Sequence, residues 1–279
     1  MTDDTASLSA RIGVDLGARM RLEEGLEWAA AAGFAHLDIR LGDAGNEFDG
    51  FDGARLRATR GLKERLGLQL GLHTLSAVNM AETAPYLAAA TDNYLRAYVD
   101  LAGPLGAGWI VVHAGYHFTD DYERRSQAAL TRLQRLGDYA RTQGVRLLLE
   151  NMNPEPADAE VRYLACDIPE CERFFAALDP EVFGWSFTAN HAHMLPVGVE
   201  GFYRHFGPAR MAEVRLADNR GGKEEHLFPG EGNMDFNALF RLIEGEGYRG
   251  HYMLAFGGPD DMRAGRDKLV AEWEAASGA

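Results

Sequence analysis

One cassette recurs through the chain. A helical stretch ends near a glycine, a short apolar run follows, and a polar residue stands where the run stops. The runs are RIGVDL (Arg11–Leu16), HLDIR (His36–Arg40), QLGLH (Gln69–His73), WIVVH (Trp109–His113), RLLLE (Arg146–Glu150), VFGWSF (Val182–Phe187), MAEVRLA (Met211–Ala217) and HYMLAF (His251–Phe256). Each is too short for a helix and reads as a buried parallel strand. Helical periodicity covers Leu22–Ala32, Ala54–Leu66, Thr91–Leu105, Tyr122–Gln143, Ile168–Leu178, Phe202–Phe206, Asp235–Glu246 and Arg263–Ala275. Strict βα alternation implies a parallel sheet with right-handed crossovers. Eight such units favour a closed (β/α)8 barrel, the TIM-barrel architecture, over an open sheet. An open sheet would want a glycine-rich phosphate fingerprint after the first strand, and Gly17–Met20 (GARM) is not one. The 279 residues are expected to form one α/β domain, with residues 1–10 a flexible N-terminus.

The formal charge of −14 argues against a nucleic-acid partner, because phosphate backbones demand clustered Lys and Arg. No stretch approaches membrane-span length, and the first residues are polar and acidic, so a soluble cytoplasmic protein is expected. Cys166 and Cys171 match no zinc or redox spacing and read as idle thiols. The expected partner is a small-molecule substrate, and the oligomeric state is left open.

The chemistry is expected at the carboxyl ends of the strands, where barrels of this kind bind ligands. Glu150 closes the most apolar run, and a buried charge there must be paired, hydrogen-bonded or bound to a metal. His73 and His113 end their runs at the same level, His191 follows the sixth strand, and His226 lies in the loop after the seventh. Histidine and carboxylate together make a divalent-metal or acid–base set, or bind substrate hydroxyls. His36 and His251 open their strands and belong to the opposite face. Trp185 and Phe187 offer rings for stacking or core filling, and Asn151 beside Glu150 is a candidate substrate contact. Arg220 and Lys223 could hold a substrate phosphate or carboxylate, with solvated loop charges as the alternative.

The motifs GLHTL (Gly71–Leu75), VVHAG (Val111–Gly115), LLLEN (Leu147–Asn151), ANHAH (Ala189–His193), RLADN (Arg215–Asn219) and EEHLFPGEGNMDF (Glu224–Phe236) resemble the xylose-isomerase-like TIM barrels. That family includes sugar-phosphate isomerases and epimerases and, more distantly, endonuclease IV. The resemblance implies a divalent metal held in the isomerases by a Glu, an Asp, a His and a Glu. Here those places read Glu150, Thr188, Arg215 and Ala255, so only the first ligand is present. The endonuclease-like branch implies two other sets: His73, His113 and Glu150, then His191, Glu224 and His226, with Zn or Mn as the ion. A protein with no metal is an equal expectation.

The function expected from this resemblance is a sugar or sugar-phosphate isomerase or epimerase. It would move a proton next to a carbonyl, with Glu150 as base and His113, His191 or Arg215 stabilising the oxyanion. A polyol or keto acid could serve as substrate. The alternatives are a lyase or dehydratase, a non-catalytic binder of carbohydrate-like ligands, and, remotely, a zinc hydrolase.

Overall fold

The computed structural model describes residues 7–277. Eight parallel strands close into a barrel: β1 (Ile12–Asp15), β2 (His36–Ile39), β3 (Gln69–His73), β4 (Trp109–Val112), β6 (Leu147–Glu150), β8 (Phe183–Thr188), β9 (Met211–Leu216) and β10 (His251–Leu254). They follow one another around the ring in chain order, and β10 closes on β1. The TIM-barrel fold is therefore present as one layer of strands inside one layer of helices.

Helices α2 (Leu22–Ala31), α3 (Gly53–Leu66), α4 (Pro85–Leu105), α5 (Tyr122–Gln143), α6 (Ile168–Ala177), α8 (Gly198–Phe206), α9 (Phe236–Gly245) and α10 (Pro259–Ser277) cover the outside. Gly67, Gly106 and Gly144 end α3, α4 and α5 in the left-handed conformation, which glycine adopts without a Cβ clash. Helix α4 starts six residues before the periodicity does. Its first turn, with Tyr86 93% exposed, faces solvent and shows no apolar stripe.

Residues 1–6 of the segment expected to be flexible lie outside the described residues. Leu8–Arg11, at its end, is instead a short helix, α1, with both of those residues buried. Two loops also hold three-residue strands that the pattern does not reveal. β5 (Tyr116–Phe118) and β7 (Val161–Tyr163) pair antiparallel above the barrel, because their partners are far apart in sequence.

The barrel interior is polar where most such barrels are packed with branched aliphatics. Glu213 and Arg215, two residues apart on β9, both point inward and are buried. Glycine makes the room. A Cβ on Gly71 would stand 2.1 Å from both Asp38 Oδ1 and Trp109 Nε1, two atoms that hydrogen-bond to each other at 3.0 Å. The same Trp109 packs with Val111 and Leu148 in a small apolar cluster separate from the main core. Among the described residues no helix is long and apolar enough to cross a membrane.

Candidate active site

The carboxyl ends of the strands open into a cavity of about 430 Å³. Its wall includes His73, His113, Glu150, His191, Glu224 and His226, so the residues drawn from separate strand ends and loops do converge.

The first group is centred on Glu150. His73 Nε2 and His113 Nε2 lie 3.2 Å apart, and they stand 3.3 and 3.2 Å from Glu150 Oε2. Glu150 Oε1 accepts a 2.6 Å hydrogen bond from Thr188 Oγ1, whereas the buried Oε2 has no hydrogen-bond partner. The other ring nitrogens are fixed from behind. His73 Nδ1 donates to Asp15 Oδ2 at 2.8 Å. Thr74 Oγ1 donates to Val111 O, so it accepts from His113 Nδ1 at 3.2 Å. In the neutral rings, both Nε2 lone pairs then face Glu150 Oε2.

Electrostatics follow from this packing. Burial pushes Glu150 up, but His113, His73 and the Arg215 charge outweigh it and hold the carboxyl well below its ordinary range. Burial and Arg215 push His73 down, yet Asp15 and Glu150 prevail and raise it to about 9. Burial leaves His113 below its ordinary value.

The second group repeats the design. His191 Nδ1 donates to Asn151 O at 2.7 Å and His226 Nδ1 donates to Ala255 O at 2.5 Å. Their Nε2 atoms approach Glu224 Oε1 at 3.0 and 2.6 Å. Glu224 Oε2 is buried without a partner. Despite burial, the two imidazoles lower Glu224 to about 2. His191 is placed by α7 (Ala189–His193), the short helix directly after β8.

The loop carrying Glu224 and His226 is shaped by Asp218. Its carboxylate accepts from the backbone N–H of Asn219, Gly230, Gly232 and Met234 at 2.7–3.1 Å. A Cβ on Gly232 would come within 2.3 Å of Asp218 Oδ1. This explains why the PGEG turn must end in glycine, and it assigns Asp218 an organising role that no pattern signalled.

Several sequence expectations need correction. Arg215 is not free to stabilise an oxyanion. It is a buried counter-ion, with Nη1 2.8 Å from Asp38 Oδ2 and 2.9 Å from Glu213 Oε1, and with Nη2 on Asp15. Trp185 is wholly buried and packs on Phe187, Phe202 and Phe206, away from the cavity wall. Asn151 is a clamp rather than a substrate contact. Its Oδ1 accepts from Thr188 N and Trp185 Nε1, and its Nδ2 donates to Thr188 O. Arg220 and Lys223 are exposed and do not line the cavity, and Arg220 pairs with Glu225 at 2.6 Å.

The sequence reading also missed wall residues. Asp15, Arg19, Arg40, Thr74 and Tyr163 line the cavity. Arg40 had a readable signal: Ile39 pairs with Leu72, so Arg40 stands level with His73.

The metal arrangement of the isomerases does not fit this chain. Thr188, Arg215 and Ala255 do line the cavity with Glu150, but a fixed guanidinium cannot ligate a cation and alanine has no donor. The third cluster of Asp15, Asp38 and His73 is already neutralised by Arg215. The two histidine–carboxylate groups do fit. Each brings donors to one point, holds each imidazole by its far nitrogen, and leaves a buried carboxylate oxygen unpartnered. A tetrahedral ion with donors at about 2.0–2.1 Å would set them about 3.3 Å apart, the spacing found in the first group.

Fold and mouth together define a (β/α)8 barrel with histidine–carboxylate clusters at its strand ends. Residues 26–272 match the family described as xylose isomerase-like TIM barrel, and the chain belongs to it. A protein of Sinorhizobium fredii (strain NBRC 101917 / NGR234), called uncharacterized protein y4fM, is 23% identical over 256 residues, covering 82% of this chain and 78% of its own. Among solved structures, a D-tagatose 3-epimerase-like protein superposes with a TM-score of 0.81 at 20% identity, over 96% of this chain and all of that one. D-psicose 3-epimerase of Clostridium cellulolyticum H10 gives 0.75 at 14% identity, over 95% and 98% of the two chains. The 3-keto-D-glucoside 4-epimerase YcjR of E. coli gives 0.71 at 17% identity, over 95% and 99%.

Proposed function

We propose that this protein is a divalent-metal-dependent enzyme of the sugar isomerase and epimerase class, acting on a small sugar-like substrate in the cavity at the barrel mouth. The observation that carries the reading is the shared construction of the two clusters. All four histidines are held at Nδ1 by an acceptor and turn Nε2 toward a carboxylate with an unpartnered oxygen. The structural neighbours that are sugar epimerases support the substrate class, and a cavity of about 430 Å³ has room for a sugar.

His73, His113 and Glu150 would hold the ion, and Zn or Mn suits nitrogen and oxygen donors of this kind. When bound there it would supply Lewis-acid polarisation of a substrate carbonyl. Glu150 is thereby reassigned from base to ligand, since Oε2 cannot serve both roles. Proton movement falls to the second cluster. Glu224, on the cavity wall, is the acceptor, and His191, whose charged form Glu224 stabilises against the cost of burial, returns a proton. Asp15 and Thr74 keep the first pair of imidazoles oriented, and Asn151 O and Ala255 O do the same for the second.

The test is solvent exchange. Protein loaded with Zn, Mn or Co is incubated in D2O with a panel of ketoses, and deuterium at the carbon next to the carbonyl is read by NMR. Exchange in the wild type that Glu224→Gln abolishes, with metal content unchanged, is the expected result. No exchange with any ketose or metal would sink the proposal. A second reading, metal-assisted hydrolysis, is favoured by Ala255, which leaves the end of β10 without a carboxylate. It would appear, when carboxylic and phosphate esters are added to the panel, as ester cleavage without exchange.

A further inference from the structure

The cavity has two unlike walls. The imidazoles, Glu150 and Glu224 come from β3 onward, whereas the ends of β1 and β2 present Asp15, Gly17, Arg19 and Arg40. The turn after β1 fixes this second wall. Gly17 takes φ +53°, its N–H donates to Asp15 Oδ1 at 2.8 Å, and its carbonyl accepts from Arg40 N at 2.9 Å. The backbone bond ties the segment that carries Arg19 directly to Arg40.

The charge on this wall is incompletely satisfied. Arg19 is exposed, and its Nη1 donates to Leu16 O at 3.2 Å. Among the described residues no carboxylate lies within 4 Å of it. Arg40 meets Asp43 through Nη2 at 2.9 Å, while its buried Nε has no partner. That pair is part-exposed, 29% and 48%, so it is weak and open to exchange. Arg215, the other arginine of the cavity, is neutralised from within the barrel. Ser76 adds a hydroxyl to the lining.

We infer that the substrate carries an anionic oxygen group, a phosphate monoester or a carboxylate, held by Arg19 and Arg40 on the β1–β2 side of the cavity. This rests on the reading of the cavity as a sugar-converting site. Guanidinium groups match such oxygens with paired N–H donors. The chain has a formal charge of −14, so an anion approaches against general repulsion, and a local cation pair offsets that repulsion over its last few ångströms.

The experiment titrates four probes into wild-type protein as purified and into the Arg19→Gln/Arg40→Gln double variant. The probes are inorganic phosphate, acetate, a ketopentose and its 5-phosphate. Melting curves check that both proteins are folded. The expected result is at least tenfold tighter binding of the phosphate ester than of the free ketopentose in the wild type, with that preference erased in the double variant. Binding of acetate in place of phosphate, lost in the same variant, assigns a carboxylate instead. Equal binding of the two ketopentoses with no phosphate or acetate binding overturns the inference and leaves the sugar reading standing. A preference that survives in the double variant overturns it as well. Phosphate binding that needs the arginines, with neither ketopentose bound, keeps the anion site and sinks the sugar reading.

Discussion

Glu150 Oε2 stands 3.2 Å from His113 Nε2, and no hydrogen bond joins them. With its hydrogen on Nδ1 for Thr74, a neutral His113 turns a lone pair toward that buried oxygen. Such an arrangement calls for a cation or a proton between the two atoms.

Metal content gives the first prediction. Wild-type protein loaded with Zn and desalted should retain one ion per chain, held by His73, His113 and Glu150. Glu150→Gln should lose it, and Glu224→Gln should keep it. Elemental analysis beside protein concentration reads both. Retention by Glu150→Gln, or loss by Glu224→Gln, would refute the assignment of roles.

The pH dependence of uptake is fixed by His73. Asp15 and Glu150 raise its ring to about 9, so at neutral pH the metal-free site carries a proton that an ion must displace. Apparent affinity should therefore climb as pH rises and level off above about 9. The metal-free fold shows the opposite trend. A raised histidine contributes stability below its unfolded value near 6.5, and loses it as pH rises through 9. Competition titrations and melting curves between pH 6 and 9.5 check the pair of slopes, and a flat affinity profile would contradict the geometry.

Arg215 carries the interior charges. Replacing it with Met leaves Asp15, Asp38 and Glu213 without their guanidinium in a buried place. A loss of about 3–5 kcal/mol in unfolding free energy is expected, the usual cost of breaking a buried pair from one side. Urea denaturation measures it. A loss below about 1 kcal/mol would mean that the cluster is not held by that charge.

Gly71 leaves no space for a methyl group, since a Cβ would sit 2.1 Å from Asp38 Oδ1 and Trp109 Nε1. Gly71→Ala should destabilise by at least about 1–3 kcal/mol, as over-packing does. It should also quench or shift the Trp109 fluorescence by displacing the indole. An unchanged melt would show that the strand gives way at little cost.

The sequence by itself determined the barrel. Eight short apolar runs alternating with glycine-stopped helices admit few other parallel topologies, because a strand buried on both faces must be apolar throughout. It also placed His73, His113 and Glu150 at the carboxyl ends of their strands, although the stagger of the barrel pairs His73 with Val111 and not with His113. Tertiary structure alone decided what those residues and their neighbours do. Arg215 looked like a replacement cation for substrate and proved to be committed to Asp15, Asp38 and Glu213, which arrive from three other strand positions. Trp185 and Asn151 had suitable chemistry but face the core and the backbone of the next strand. Arg19 lies in a turn without a recognisable motif, yet the bond from Arg40 N to Gly17 O ties that turn to the cavity wall. The physical reason is common to all of these. Periodicity along a chain reports which face of an element is apolar, whereas the partner of a polar group is set by residues tens to hundreds of positions away.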